Sequence, residues 1–212
     1  MKDLGSAAST KRNAEQTETA RFWFDVATKE WRRAARKGLT DAYADEWQTA
    51  RTLALVSIAM ADGVIASAET KFNFNYWRPI TAIHAGERDG NYVTRGDPAW
   101  EPLCATPPFP EHDSTHAVTG AAAAKALALT IGDRHMFTVN SPTLAGVSRT
   151  YERCSTAAAE EGISRIFCGI HFRNGMIAGL VQGRRVARYV VKSLLRPIRR
   201  GHDDGYQPIP TW

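Results

Sequence analysis

Cysteine is scarce, with three residues in 212: Cys104, Cys154 and Cys168. An odd count without metal-type spacing argues against a disulfide framework and leaves three buried thiols as the expectation. Neither glycine (16) nor proline (10) is enriched, which excludes collagen-like and low-complexity chains. Charge of one sign is not dominant either. The net charge of +5, from 27 basic and 22 acidic residues, suits anionic small molecules and is too small to require nucleic acid, so none is expected as a partner. The opening residues Met1 to Ser6 lack the apolar stretch of a secretory signal. The longest apolar run, Leu53 to Ala61 and on from Gly63 to Ala66, is broken by Asp62 and falls short of the ~20 residues of a membrane span. No span is expected. Location is otherwise unread, with the cytoplasm as the default.

What is present is helix after helix. A hydrophobic fraction of 43% and a charged fraction of 23% lie in the globular range. Apolar residues recur at helical spacing over about 11–37, with Gly38 as a stop. A second helix is expected from about Ala42 past Lys71, capped by Thr40 or Asp41, and Pro79 either breaks it or opens a short helix as its first residue. Residues 87–113, rich in Gly and Pro, read as a long ordered loop. Further helices are expected over Ala117 to Ile131, about Leu144 to Phe167, and about Met176 to Leu195. The spacing predicts an all-α helical bundle forming a single domain over 1–212, with an N-terminal helix at about 11–37 and a motif-bearing core at about 42–195.

Three clusters could carry chemistry. Lys71 and Arg78 stand seven apart, within ~20° of each other on a helix and roughly 10 Å apart along its axis. Two such cations can grip one anion or form a solvated basic edge. Next, Phe109-Pro110-Glu111-His112-Asp113-Ser114-Thr115-His116 leads into the alanine-rich helix, whose first turn offers free N–H groups to an anion. Ser114 can cap that helix or donate to the anion; Asp113 as an ordinary cap is the simpler alternative. In the third cluster, Arg165 and His171 are six apart and would diverge on an unbroken helix, but Gly169 supplies a break that lets His171 turn back.

Taken together, Lys71-x6-Arg78-Pro79, Ser114-x-His116 and Ser164-Arg165-x5-His171 resemble the superfamily joining vanadium-dependent haloperoxidases, type 2 phosphatidic acid phosphatases and bacterial acid phosphatases. The wording Tyr76-Trp77-Arg78-Pro79 and Pro107-Pro108-Phe109-Pro110 is most similar to the soluble haloperoxidase branch. The resemblance implies that Lys71, Arg78 and Arg165 hold the oxygens of vanadate or phosphate. It implies that Ser114 donates its hydroxyl, that Thr115 stands in place of a glycine whose N–H points at the anion, and that His116 is the general acid/base. His171 becomes the axial vanadate ligand, or the nucleophile of a phosphatase. Phe109 is implied beside a halide pocket; His112 lies near enough in sequence to line it, as does His84, though each reads first as structural.

The activity so implied is oxidation of halide by hydrogen peroxide with vanadate as cofactor. His116 assists deprotonation of peroxide and Lys71 polarises it for attack by halide. Two alternatives stand beside it: a cofactor-free acid phosphatase cleaving phosphate esters through a phosphohistidine, and a non-catalytic oxyanion-binding protein. Three departures from the superfamily pattern qualify the resemblance. Thr115 replaces Gly, Asp113 replaces Pro, and Gly175 stands where an Asp would orient His171. On sequence alone His171 therefore lacks its carboxylate partner. The chain is also short for this branch, whose members commonly carry a second helical half. A homo-oligomer is expected, because a half-sized bundle leaves an apolar face to cover. The acid-free basic run Arg184, Arg185, Arg188, Lys192, Arg196, Arg199 and Arg200 reads as a solvated helix face.

Overall fold

Helix starts and stops in the computed structural model, which describes residues 1–25 and 27–196, follow local chemistry closely. Asp45 opens the longest helix, α4 (Glu46–Phe74), by accepting from the Gln48 N–H at 2.7 Å, and Asn75 closes it in the left-handed region. Pro79 then opens α5 (Pro79–His84) as its first residue, where a missing N–H does no harm. Ahead of these lie α1 (Lys2–Gly5), α2 (Ala14–Phe22) and α3 (Ala27–Asp41). After the long loop come α6 (Thr115–Thr130), strands β1 (Arg134–Asn140) and β2 (Ser148–Arg153), α7 (Cys154–Phe167) and α8 (Arg173–Ser193).

The centre of the bundle is α6. Its alanine-rich surface is buried almost all round, with α4, α7 and α8 packed against it. Small residues on the facing helices set this close approach. Gly63 of α4 lies against Val118, and Gly179 and Gly183 of α8 lie against the backbone of α6 at Ser114 and Val118. A Cβ at Gly183 would stand 2.9 Å from the Ala122 nitrogen and nearer still to the Val118 oxygen, both of them backbone atoms that cannot swing away. Gly183→Ala is therefore expected to destabilise the fold by about 1–3 kcal/mol or more, read as a lower urea midpoint.

Several elements differ from the sequence expectation. The N-terminal periodic stretch forms two helices rather than one, because Trp23 and Phe24 leave the helix to seat the Trp23 ring in the core; Val26 lies outside the described residues. Gly38 does not stop α3 but sits inside it, facing His135. Likewise 144–153 is not helical: β1 and β2 form an antiparallel hairpin, and α7 begins only at Cys154. Phe137, Val139 and Tyr151 point inward from the hairpin onto Trp23 and Trp31, a two-residue alternation too short to stand out in the sequence. The molecule remains an all-α bundle carrying this one small sheet among its described residues. Helix α8 starts at Arg173, three residues before the expected Met176, and the Arg199 and Arg200 of the basic run lie outside the described residues.

One departure concerns α4. The stretch Glu46–His84 is long and apolar enough, by length and composition, to cross a membrane, contrary to the expectation from its interrupted apolar run. In the bundle α4 instead lines the core through Leu55, Val56, Ala59 and Met60.

The three cysteines are free and buried, as expected. The 87–113 loop is pinned by its one buried tryptophan, Trp100, whose indole donates to the Lys2 carbonyl at 3.0 Å.

Candidate oxyanion site

Three elements end at one place: the C-terminus of α4, the N-terminus of α6, and the turn between α7 and α8. That turn depends on Gly169, whose φ of +83° lets the chain reverse while its Cα side presses on Gly5 and Pro102. The reversal returns His171 to the interior, where it is 3% exposed.

Around His171 the contacts are specific. Arg78 donates from Nη1 to the Ile170 carbonyl at 2.8 Å and stands 3.0 Å from His171 Nε2, while its Nε donates to the Phe109 carbonyl at 2.9 Å. A guanidinium only donates, so Nε2 presents its lone pair and the ring proton resides on Nδ1. Nδ1 faces Glu111 Oε1 at 2.8 Å, and the same carboxylate accepts the Phe172 N–H at 3.0 Å. Burial, followed by the cations Arg78, Lys71 and Arg165, holds His171 well below the ordinary imidazole range, so the ring is neutral. Burial likewise raises the Glu111 carboxyl.

Glu111 is the functional residue that sequence reasoning missed. It replaces the carboxylate absent at Gly175, so His171 does have an acidic partner. No periodicity points to it, because it lies 60 residues from the ring it meets.

Lys71 is 3% exposed and donates to three backbone carbonyls, Pro110 at 3.2 Å, Glu111 at 3.0 Å and Asp113. Its ammonium is thus engaged in holding the 110–113 loop. Burial and the neighbouring Arg78 push it down to about 8. The Phe109 ring faces both cations, with Lys71 Nζ 5.3 Å and Arg78 Cζ 5.0 Å from its centroid.

Ser114 is fully buried as the residue preceding α6. Its N–H donates to the Gly175 carbonyl at 3.1 Å, and its hydroxyl caps nothing. Thr115 opens α6 without a positive φ, so the glycine it replaces is not required by backbone angle. The Thr115 hydroxyl pairs with Ser67 at 2.9 Å, and Ser67 donates to the buried Asp113 carboxylate at 2.7 Å. Burial raises the Asp113 carboxyl, whose Oδ1 is turned toward Ser67.

His116 donates from Nε2 to the Asp25 carbonyl at 2.8 Å, leaving the Nδ1 lone pair. It lines a cavity of 430 Å³ with Phe24, Val64, Pro107 and Thr119. Burial and the nearby Arg165 push its ring down to about 3. Arg165 is fully buried, bonded through Nε to Ser164 Oγ at 2.9 Å and through Nη2 to the Ala20 carbonyl at 3.5 Å. The segment Ala20–Asp25, which sequence reasoning did not assign to the site, thus supports both Arg165 and His116. His112 lies apart. It meets Phe74 and Tyr76 edge-on and lines a separate cleft with Gln182 and Arg185, not the surroundings of His171. His84 is likewise elsewhere, paired with the Trp100 carbonyl at 2.7 Å.

One observation organises these contacts. Arg78 Nη2, Arg165 Nη1 and Ser114 Oγ are buried donors with no hydrogen-bond partner. Each such group costs about 1–3 kcal/mol when left unpaired, and charged ones more. They come from three separate segments: Arg78 touches the neutral His171 ring, Ser114 precedes α6, and Arg165 lies in the last turn of α7. Donors of this kind fit a tetrahedral or trigonal-bipyramidal oxyanion such as vanadate or phosphate.

Glu161, one turn before Arg165, accepts from Trp31 Nε1 at 2.6 Å, and burial pushes it from 4.5 up to about 8. The unfolded chain therefore releases this proton first as pH rises. The stabilisation is full below pH 4.5 and is lost progressively up to about pH 8. The slope is at most about 1.4 kcal/mol per pH unit. Glu161→Gln is expected to flatten that part of the stability profile, measured by urea unfolding at several pH values.

The fold and these groups define a class: a helical bundle that buries three cations and holds a histidine between a carboxylate and a guanidinium. The chain belongs to the family of the VCPO second helical-bundle domain, whose model matches residues 51–200. It is 37% identical over 83 residues to the vanadium chloroperoxidase of Curvularia inaequalis, a stretch covering 34% of this chain and 13% of that protein. Among solved structures it is similar to a bacterial vanadium-dependent iodoperoxidase, with 30% identity and a TM-score of 0.76, over 85% of this chain and 44% of that one. The holo form of a bacterial vanadium-dependent chloroperoxidase shares the fold at 16% identity and a TM-score of 0.66, over 90% of this chain and 46% of that one. The chain thus spans less than half the length of these relatives.

Proposed function

We propose that the chain carries the site of a vanadate-dependent haloperoxidase-type enzyme, which oxidises halide with hydrogen peroxide. The observation that carries this reading is that Arg78 Nη2, Arg165 Nη1 and Ser114 Oγ, one from each motif that the resemblance assigns to the anion, are buried without a partner, while Arg78 also contacts His171. The similarity to an iodoperoxidase and to the Curvularia inaequalis chloroperoxidase supports the same chemistry.

Vanadate, when bound, would supply the Lewis acid that activates peroxide. This chain's residues supply the remainder. His171 offers Nε2 as the single protein ligand, its orientation fixed through Nδ1. Arg78, Arg165 and Ser114 neutralise and orient the oxygens, a preorganised arrangement that needs no rearrangement during reaction. His116 keeps a lone pair at Nδ1, suited to taking a proton from incoming peroxide; the negative charge of a bound oxyanion raises its pKa toward the working range. Lys71 releases one of its carbonyl partners to reach the oxyanion, or acts through its field alone. Phe109, beside the cations and bordering a cavity of 500 Å³ with Trp77 and Arg78, forms an apolar wall against which a weakly hydrated halide is held.

The test compares two assays on one preparation. Bromide or iodide oxidation is expected to appear when vanadate is added to the apo-protein, with little hydrolysis of p-nitrophenyl phosphate. Phosphatase turnover without halide oxidation would overturn the reading, and anion binding without turnover in either assay would leave only a binding protein.

A further inference from the structure

We propose that Glu111 is the positioning residue for His171 and that Gly175 is its steric counterpart, so that the orienting carboxylate comes from the loop before α6 and not from α8. The inference rests on the oxyanion-site reading above and adds to it a pair of residues with a shared constraint.

Two independent contacts select one state of the ring. Arg78 Nη1, a donor only, stands 3.0 Å from Nε2, and Glu111 Oε1, an acceptor when ionised, stands 2.8 Å from Nδ1. Both require the proton on Nδ1 and make Nε2 the lone-pair nitrogen, which accepts from Arg78 here and must be released by it to ligate vanadate. The carboxylate itself is held: Oε1 also accepts the Phe172 N–H at 3.0 Å, while the Glu111 backbone donates to the Tyr76 carbonyl at 3.0 Å and accepts from Lys71 at 3.0 Å. Its side-chain partner among the described residues is the neutral His171 ring, and no lysine or arginine stands within ion-pair distance of it.

Gly175 explains why the carboxylate sits where it does. A Cβ at 175 would stand 2.7 Å from Glu111 Oε2 and 2.9 Å from its Cδ, closer still to Oε1. A side chain at 175 and the Glu111 carboxylate therefore compete for one volume beside the imidazole. Whichever residue occupies it orients the ring, and the other must be small.

This makes a relocation experiment possible. Glu111→Ala, Glu111→Gln, Gly175→Asp and the double variant Glu111→Ala/Gly175→Asp are compared with the wild-type chain in two measurements. One is the His171 tautomer in the apo-protein, from 15N chemical shifts of labelled histidine; the other is vanadate affinity by calorimetry. The wild type is expected to show the Nδ1–H form. Glu111→Ala is expected to lose that preference and about 10–100-fold in vanadate affinity. Gly175→Asp alone is expected to be impaired similarly, because both side chains contend for the site. The double variant is expected to recover most of the affinity and the Nδ1–H form, and Glu111→Gln, whose amide oxygen still accepts from Nδ1, to retain the tautomer.

Wild-type-like tautomer and affinity in Glu111→Ala would overturn the proposal, as would a folded double variant no better than Glu111→Ala. If Glu111→Ala does not fold, an Nε2–H tautomer in the wild type overturns it. A wild type that binds no vanadate refutes the functional reading instead, while the tautomer measurements still decide the role of Glu111.

Discussion

His171→Ala is expected to lower vanadate affinity by at least about a hundredfold and to remove halide oxidation altogether. The magnitude follows from what the ring does. A residue that merely supports a ligand contributes about 10–100-fold to affinity; in the proposed site His171 supplies the ligating atom. Its Nε2 carries the lone pair that contacts Arg78, whereas Arg78 Nη2, Arg165 Nη1 and Ser114 Oγ offer N–H and O–H donors. Calorimetry with vanadate measures the loss. Circular dichroism and thermal unfolding show whether the variant keeps its fold, since truncation leaves the Glu111 carboxylate with only the Phe172 N–H. Unchanged vanadate affinity in a folded His171→Ala protein would remove the ligand assignment.

The second large effect concerns stability. Lys71, Arg78 and Arg165 are 3%, 5% and 0% exposed, and none of them forms an ion pair with a carboxylate among the described residues. Their partners are backbone carbonyls, one hydroxyl and one neutral ring. Such a cluster is self-repelling and incompletely hydrogen-bonded, so an oxyanion that enters it both neutralises charge and satisfies donors. At a concentration 100 times its Kd, a ligand that binds only the folded state stabilises it by about 2.7 kcal/mol. For a chain of this size the corresponding rise in Tm is about 5–11 °C. Thermal unfolding with phosphate and with vanadate checks this; a Tm that does not move at saturating anion would show that the three cations do not form a common cradle.

Much of the bundle was legible because its signals are local. Pro79 as a helix opener and Gly169 as a chain reversal each act within a few residues of where they stand, whereas α4 is capped by Asp45 and not by the expected Thr40 or Asp41, which belong to the end of α3. The cation and histidine clusters were legible as spacings, and the structure accounts for the spacing. Lys71 and Arg78 straddle the end of α4, Ser114 and His116 straddle the start of α6, and Arg165 and His171 flank the α7–α8 turn.

The missed features depend on distant partners. The hairpin of β1 and β2 carries only three inward side chains, and its register is set by Trp23 and Trp31 from the other end of the chain. The break between α2 and α3 has no proline or glycine to announce it; it is fixed where Trp23 enters the core and the Asp25 carbonyl meets His116. Glu111 escaped notice because a carboxylate was sought four residues after His171, whereas the folded chain brings one from the opposite loop. Thr115, which departs from the glycine of the superfamily pattern, stands at the head of α6 without a positive φ.

The most direct measurement is a crystal structure of the protein soaked with vanadate. The account predicts vanadium bonded to His171 Nε2, with oxygens within hydrogen-bonding distance of Arg78 Nη2, Arg165 Nη1 and Ser114 Oγ. Vanadium bound elsewhere, or a saturated crystal in which these three donors still face no oxygen, would contradict it.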